Sequence, residues 1–244
     1  GAEDEIVIDG RALAGPARER VVRHLDLFRG RAGSRCSAHV ASDNTFPMGT
    51  GIASSASGFA ALTVAAAAAY GLVLTEAELS ALARRGSGSA ARSIPDGFVW
   101  WQSGDDSTSH ARSIADAGHW DLRDIVVVVS REHKALGSTD GHAAALGSQC
   151  LPGRLAALPA RLEVARRAIA DRDLSSLGPM LEEEALSLHA VALTGRPPVL
   201  YWSGETVALM KMVAGWRGDG VPVYTSAVMS GRGTLRFMGV TMPA

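Results

Sequence analysis

Two short runs rich in glycine and serine hold the residues of this chain best suited to chemistry. The first is Phe46-Pro47-Met48-Gly49-Thr50-Gly51-Ile52-Ala53-Ser54-Ser55-Ala56. It follows an extended segment and leads into an alanine-rich helix pattern. Unpaired N–H groups at a helix start, with the helix dipole behind them, attract phosphate. Gly49 and Gly51 allow the backbone to approach a ligand closely. Ser54 and Ser55 add hydroxyls that donate to phosphate oxygens or ligate a nucleotide-bound metal ion. An ordinary strand-to-helix turn with close alanine packing accounts for the same residues, so the pattern alone leaves both readings open. The second run is Arg84-Arg85-Gly86-Ser87-Gly88-Ser89-Ala90-Ala91-Arg92-Ser93. A guanidinium such as that of Arg92 binds a carboxylate through two parallel hydrogen bonds and stays charged at any working pH. A solvated arginine at a helix start is the ordinary alternative.

Other motifs narrow the choice. No G-x-x-x-x-G-K-(S/T) loop and no G-x-S-x-G elbow occurs in the sequence. Gly49-x-Gly51-x-x-Ser54, with Glu76 beyond it, approaches a dinucleotide fingerprint. However, Thr75-Glu76-Ala77-Glu78 has capping-box form, which suits a helix start and not a strand end. Ser42-Asp43-Asn44 has the form of a β-lactamase element but lacks its partner motifs. The two cysteines, Cys36 and Cys150, argue against a disulfide scaffold or a cysteine zinc site and suit a cytoplasmic protein. A formal net charge of −1 gives no reason to expect a nucleic-acid partner. The most apolar stretch, Ala60 to Leu74, is too short and alanine-rich for a membrane span of about 20 residues.

The elements that must position these runs are legible from periodicity. Ile6 to Ile8 reads as a strand closing on the turn pair Asp9-Gly10. Pro16 to Phe28 reads as a helix, with Val21, Val22, Leu25 and Phe28 on one face. Alternation from Cys36 to Val40 suggests a half-exposed strand. The first run leads into an alanine-rich helix that ends near Tyr70-Gly71, and another runs from Thr75 to about Arg85. Gly97 to Gln102 and Ile125 to Val129 read as strands, the second central and buried because it is continuously β-branched. Helical patterns cover 141–150, 155–169, 175–189 and 205–215, and 221–224 and 235–238 read as closing strands. Glu182, Glu183 and Glu184 read as a solvated acidic run, and Trp100-Trp101 as core. Mixed elements first and helices later indicate an α+β layout.

The first run, taken from Asn44 to Leu62, resembles the ATP loop of mevalonate diphosphate decarboxylases, a branch of the GHMP kinase superfamily. That superfamily shares a P-x-x-x-G-(L/I)-(G/A)-S-S-(A/S) core. The second run is similar to the same branch, down to the Gly97-Phe98-Val99 that follows. Ser138-Thr139, within 134–141, resembles its substrate segment. The resemblance spans Glu5 to about Ser226. It implies a GHMP kinase fold, with a ribosomal protein S5 domain 2-like N-terminal half (1–134, ATP-binding) and a ferredoxin-like C-terminal half (135–244).

The resemblance also implies ATP and Mg²⁺ as cofactors, with Asn44, Pro47, Gly49, Gly51, Ala53, Ser54, Ser55 and Ala56 holding the nucleotide and Ser54 the metal. Ser87, Ser89, Arg92, Ser138 and, more loosely aligned, Arg20 in the first helix fall to the substrate, a phosphorylated mevalonate. His142 stands where many members have methionine and is placed with them. Arg92 and Ser55 are the implied catalytic residues. The implied protein is a cytoplasmic homodimer without nucleic-acid or membrane partners. The activity is ATP-dependent decarboxylation, with a 3-kinase that stops after phosphorylation, or a non-catalytic binding protein, as alternatives.

The chain departs from the family in two places. It contains no K-Y-W-G-K-type segment, which implies that it starts downstream of one. The family's Y-T-x-D-A-G-x-N carries the catalytic acid/base Asp, whereas Tyr224-Thr225-Ser226 here runs straight into Ala227-Val228-Met229. Either residues are missing at that junction or the Asp has been lost.

Overall fold

The computed structural model describes residues 3–45, 54–106, 108–128, 138–226 and 234–240; for Ser54, Val128, 138–140 and 234–240 it describes the backbone alone. The described residues divide into two compact units, those up to Ala117 forming the first and those from Gly118 the second.

The first unit begins with β1 (Glu5–Ile8) and β2 (Arg11–Ala12), joined through Asp9 and Gly10 at φ of 51° and 71°. Asp-Gly is the pair that tolerates this left-handed turn, as the sequence indicates. α1 (Gly15–Ala32) opens on Pro16 and closes on Gly33 in the left-handed region. β3 (His39–Ser42) pairs parallel with β1, placing Ile6 beside Val40. This strand starts three residues later than the alternation from Cys36 suggests.

α2 (Ser54–Ala69) and α3 (Glu76–Gly86) complete the layer. Thr75 and Glu78 form the expected capping box on α3. Leu25 and Phe28 of α1 bury against Ala66 and Ala67 of α2 and Leu82 of α3. Nearer the start of α2, Ala56, Phe59 and Ala60 meet Ala83 and Ala90. Methyl-sized side chains let these backbones come close, which is why an alanine-rich helix serves here.

After α3 comes a tight 3-10 turn, Gly88–Ser93, and then the hairpin of β4 (Phe98–Trp101) and β5 (Ala111–Ala115). Ser80 of α3 is fully buried and ties these pieces together. Its hydroxyl donates to the Ala91 carbonyl and accepts from the Ala111 N–H, both at 2.8 Å. Two buried backbone groups thereby gain partners from one side chain. Gly97 precedes β4 at φ +74°, and a Cβ there would lie 2.3 Å from the Ala115 carbonyl oxygen, so only glycine fits.

The second unit has a three-stranded antiparallel sheet, ordered β6 (Leu122–Val128), β8 (Thr234–Val240) and β7 (Val223–Ser226). Its helices are α4 (Ser138–Ala145), α5 (Leu151–Asp171), α6 (Leu174–Leu193) and α7 (Gly204–Gly218). The reading of β6 as a central buried strand is corrected. Among the described residues β6 pairs with β8 alone, and Ile125 and Val126 are 55% and 36% exposed. A β-branched run reports strand propensity, whereas burial depends on what covers the strand.

The acidic run is also corrected in part. Glu182 accepts from the Thr225 N–H at 2.9 Å, the Thr225 hydroxyl at 3.0 Å and Arg217 at 2.8 Å. Glu184 pairs with Arg154 and Arg161, while Glu183 stays largely in solvent. A helix turns each successive side chain by about 100°, so neighbours in sequence meet different surroundings. Of the tryptophans, Trp120 is core, but Trp101 and Trp216 are 39% and 43% exposed. Among the described residues no helix is long and apolar enough to cross a membrane.

Candidate functional site

The site is assembled in the first unit around the start of α2 and the turn after α3. Ser54 and Ser55 are the first two residues of α2, where backbone N–H groups lack intrahelical partners. Ser55 is exposed, and its Oγ lies 3.3 Å from Ser87 Oγ. The two glycine-serine runs, separated by 32 positions, are therefore in hydroxyl contact. Ala56 points the other way, into the core beside Ala83 and Ala90. Pro47, Gly49, Gly51 and Ala53 lie outside the described residues.

Asn44 stands where the chain enters the first run. Its backbone N–H donates to Asp9 Oδ1 at 2.7 Å, and its side-chain amide reaches the same carboxylate at 3.2 and 3.3 Å. The left-handed Asp9 turn thus anchors the loop's entry, a role the Asp-Gly pair did not signal. Beside it lies a cavity of about 240 Å³, whose lining includes Ser42, Asn44, Ser55, Val40, Phe59 and Leu62.

The second run folds as a braced turn. Ser87, 9% exposed and extended at φ −152°, gives its N–H to the Ala83 carbonyl and accepts from the Ala90 N–H through its own carbonyl. Ala90 and Ala91 are fully buried, whereas Ser89 is half-buried and Arg92 is exposed at the end of the turn. Small apolar residues at 90 and 91 root the turn.

Arg20 approaches from α1. Its Nε and Nη2 donate to the Gly86 carbonyl at 3.0 and 2.7 Å, and its guanidinium lies 4.8 Å from the centre of the Phe59 ring. Beneath it sits His24, 2% exposed, with its ring edge-on to Phe28 and Phe59. Thr63 donates its hydroxyl proton to the Phe59 carbonyl at 2.7 Å, so its oxygen accepts from His24 Nε2–H at 2.9 Å. That assigns the proton to Nε2 and leaves Nδ1 bare and buried, without a partner among the described residues. Sequence periodicity places His24 on α1's inner face but gives no sign of its partner.

Burial, and then the charges of Arg20 and Arg85, push the His24 pKa down from 6.5 to about 4. A group depressed on folding stabilises the native state above its unfolded pKa and loses that contribution as pH falls. The stability difference between pH 7 and pH 4 that belongs to this ring is about 3 kcal/mol. Urea denaturation of the native protein and of His24→Gln at both pH values measures it. The native protein is expected to lose about that much more than the variant; equal losses would contradict the assignment.

Ser138 and His142 belong to α4 of the second unit, as its first and fifth residues; His142 is exposed. Among the described residues no cluster of three or more His, Cys, Asp or Glu forms a metal cage.

The fold is that of the GHMP kinases. It superposes on the mevalonate diphosphate decarboxylase of Staphylococcus aureus with a TM-score of 0.92 at 34% identity, over 98% of this chain and 72% of that one. A structure described as MDDEF in complex with MVAPP, AMPPCP and magnesium matches with a TM-score of 0.90 at 33% identity, over 99% and 74%. Residues 1–115 match the diphosphomevalonate decarboxylase-like N-terminal domain, and 124–219 match the mevalonate 5-diphosphate decarboxylase C-terminal domain. The phosphomevalonate decarboxylase of Haloferax volcanii is 35% identical over 226 residues, 92% of this chain and 69% of that protein. The chain belongs to the diphosphomevalonate decarboxylase family. It spans 51% and 56% of two fungal diphosphomevalonate decarboxylases that it also matches, about half their length.

Proposed function

We propose that this protein carries out the ATP-dependent decarboxylation of mevalonate 5-diphosphate or 5-phosphate, giving isopentenyl diphosphate or isopentenyl phosphate. The contact between Ser55 and Ser87 carries the reading, because it puts the nucleotide run and the acid-substrate run at one place. In this reading the start of α2, with Ser54 and Ser55, receives the phosphates of ATP, and the neighbouring cavity takes its base. Magnesium, held with those phosphates and by serine oxygen, supplies charge neutralisation. Asn44 steadies the loop from behind through Asp9.

Ser87 and Ser89 orient the substrate's 3-hydroxyl region, and Arg92 holds its carboxylate in a two-pronged grip. Ser138 and His142 are assigned to the substrate's phosphate end. The γ-phosphoryl group of ATP passes to the 3-hydroxyl oxygen as its bond to ADP breaks, and the hydroxyl proton leaves to water. The C3–O bond then breaks with loss of inorganic phosphate. The C1–C2 bond breaks as CO₂ departs, and its electron pair forms the C2–C3 double bond. Orientation matters most in that last step, since the breaking C1–C2 bond must align with the emptying orbital on C3. Arg92 sets that alignment by fixing the carboxylate. The assignment of an ATP-binding half to 1–134 and a second half to 135–244, a cytoplasmic location and a homodimeric state belong to the same reading.

The test is a paired assay of the full-length protein with ATP and either mevalonate phosphate, recording ADP and CO₂ together. Equal amounts of both are expected. ADP without CO₂ would make the protein a 3-kinase, and binding without either product would make it a non-catalytic member of the fold.

A further inference from the structure

The carbonyl of Gly86 is the point on which the geometry of the second run turns. Gly86 ends α3, so its oxygen is one of the carbonyls that a helix terminus leaves without an intrahelical partner, at the negative end of the helix dipole. The neighbouring Ser87 backbone is already committed, its N–H to Ala83 and its carbonyl to Ala90. Arg20 supplies what remains, with two N–H groups on one oxygen from a residue 66 positions away. Its guanidinium is held in turn over Phe59, whose carbonyl is fixed by Thr63 and whose ring lies against His24.

We propose that Arg20 is a positioning residue. It locks the Gly86–Ser87 peptide and thereby sets Ser87 Oγ opposite Ser55 Oγ. This rests on the reading of Ser55 and Ser87 given above. It also gives the arginine of the first helix a different task from the substrate contact that family resemblance implies. Two of the five guanidinium N–H donors are spent on the protein itself. A peptide free to rotate about Gly86 would swing the Ser87 hydroxyl out of the contact, because glycine offers little resistance.

Arg20→Lys and Arg20→Met separate the two tasks. Lysine keeps a charge but offers a single point contact, and methionine keeps only a stem over Phe59. Steady-state kinetics of the full-length variants would be measured with mevalonate 5-phosphate and with the 5-diphosphate, alongside amide hydrogen exchange across 86–91. Positioning predicts that kcat falls roughly 10- to 100-fold with both substrates, that KM changes little, and that lysine does not rescue. It also predicts exchange at 87–91 about tenfold faster in either variant. A rise in KM at unchanged kcat, larger for the diphosphate and restored by lysine, would overturn it in favour of a phosphate ligand. If the native protein turned over neither substrate, the reading of the site would fail on its own. Hydrogen exchange would still decide, since unaltered protection at 87–91 in a folded Arg20→Lys variant would sink the positioning role.

Discussion

On the function proposed above, Arg92→Lys is expected to lower the rate of CO₂ release by about 10²- to 10³-fold, with little change in thermal stability. The size follows from what lysine cannot do. Guanidinium and carboxylate meet in one plane through two parallel bonds, and an ammonium makes a single contact that leaves the carboxylate free to turn. A misplacement of about 1 Å is enough to cost about 10²-fold. The small effect on folding follows from placement. Arg92 is exposed, while the buried Ala90 and Ala91 and the Ser80 hydroxyl hold the turn. Single-turnover measurement of ADP and CO₂ in native and variant protein, beside a melting curve, checks both halves. Unimpaired CO₂ release would remove Arg92 from the mechanism. A large fall in melting temperature would move it from the chemistry to the scaffold.

Gly86→Ala is the second large effect, and its sign is informative. Gly86 is the last residue of α3, and alanine in place of glycine within a helix ordinarily stabilises by up to about 1 kcal/mol. Here an added Cβ would lie 2.2 and 2.7 Å from two carbons of the Phe59 ring and 2.9 Å from His24 Nδ1. Neither neighbour has room to yield. Phe59 is buried under the Arg20 guanidinium, and His24 is tied to Thr63. Overpacking of this kind typically costs about 1–3 kcal/mol, and approaches this close put the cost at the upper end, which outweighs the propensity gain. The expected outcome is a variant less stable than the native protein by about 2 kcal/mol in urea. Its folded fraction should also have impaired turnover, because relieving the clash moves the Ser87 peptide. An equally or more stable Gly86→Ala would show that Phe59 and His24 do not press on this position.

Much of the local structure was legible before the fold was known. The Asp9-Gly10 turn, the Pro16 helix start and the Thr75–Glu78 capping box all stand where short-range chemistry puts them. Each rests on bonds between residues within a few positions, so the sequence window contains every participant. β5 leaves no signature in the sequence, because Ala111–Ala115 is defined by its pairing with β4 and has no strong alternation of its own. The burial expected for Ile125 and Val126 failed for a related reason, since it depends on which strands flank β6. The solvated reading of Glu182 failed because its partners, Arg217 and Thr225, lie 35 and 43 positions away.

What residue types and short spacing settle is the chemistry on offer: two glycine-serine runs, an arginine in the second, a helix that starts within the first, and membership of a family that carries both. Tertiary structure alone decided that Ser55 and Ser87 touch, that Arg20 spends its donors on Gly86, and that His24 is held neutral between Phe28 and Phe59. The physical reason is the same in each case. Residue type and short spacing set what a group is able to bond, whereas the identity of its partner is fixed only when packing of α1, α2 and α3 brings distant backbone and side chains within bonding distance.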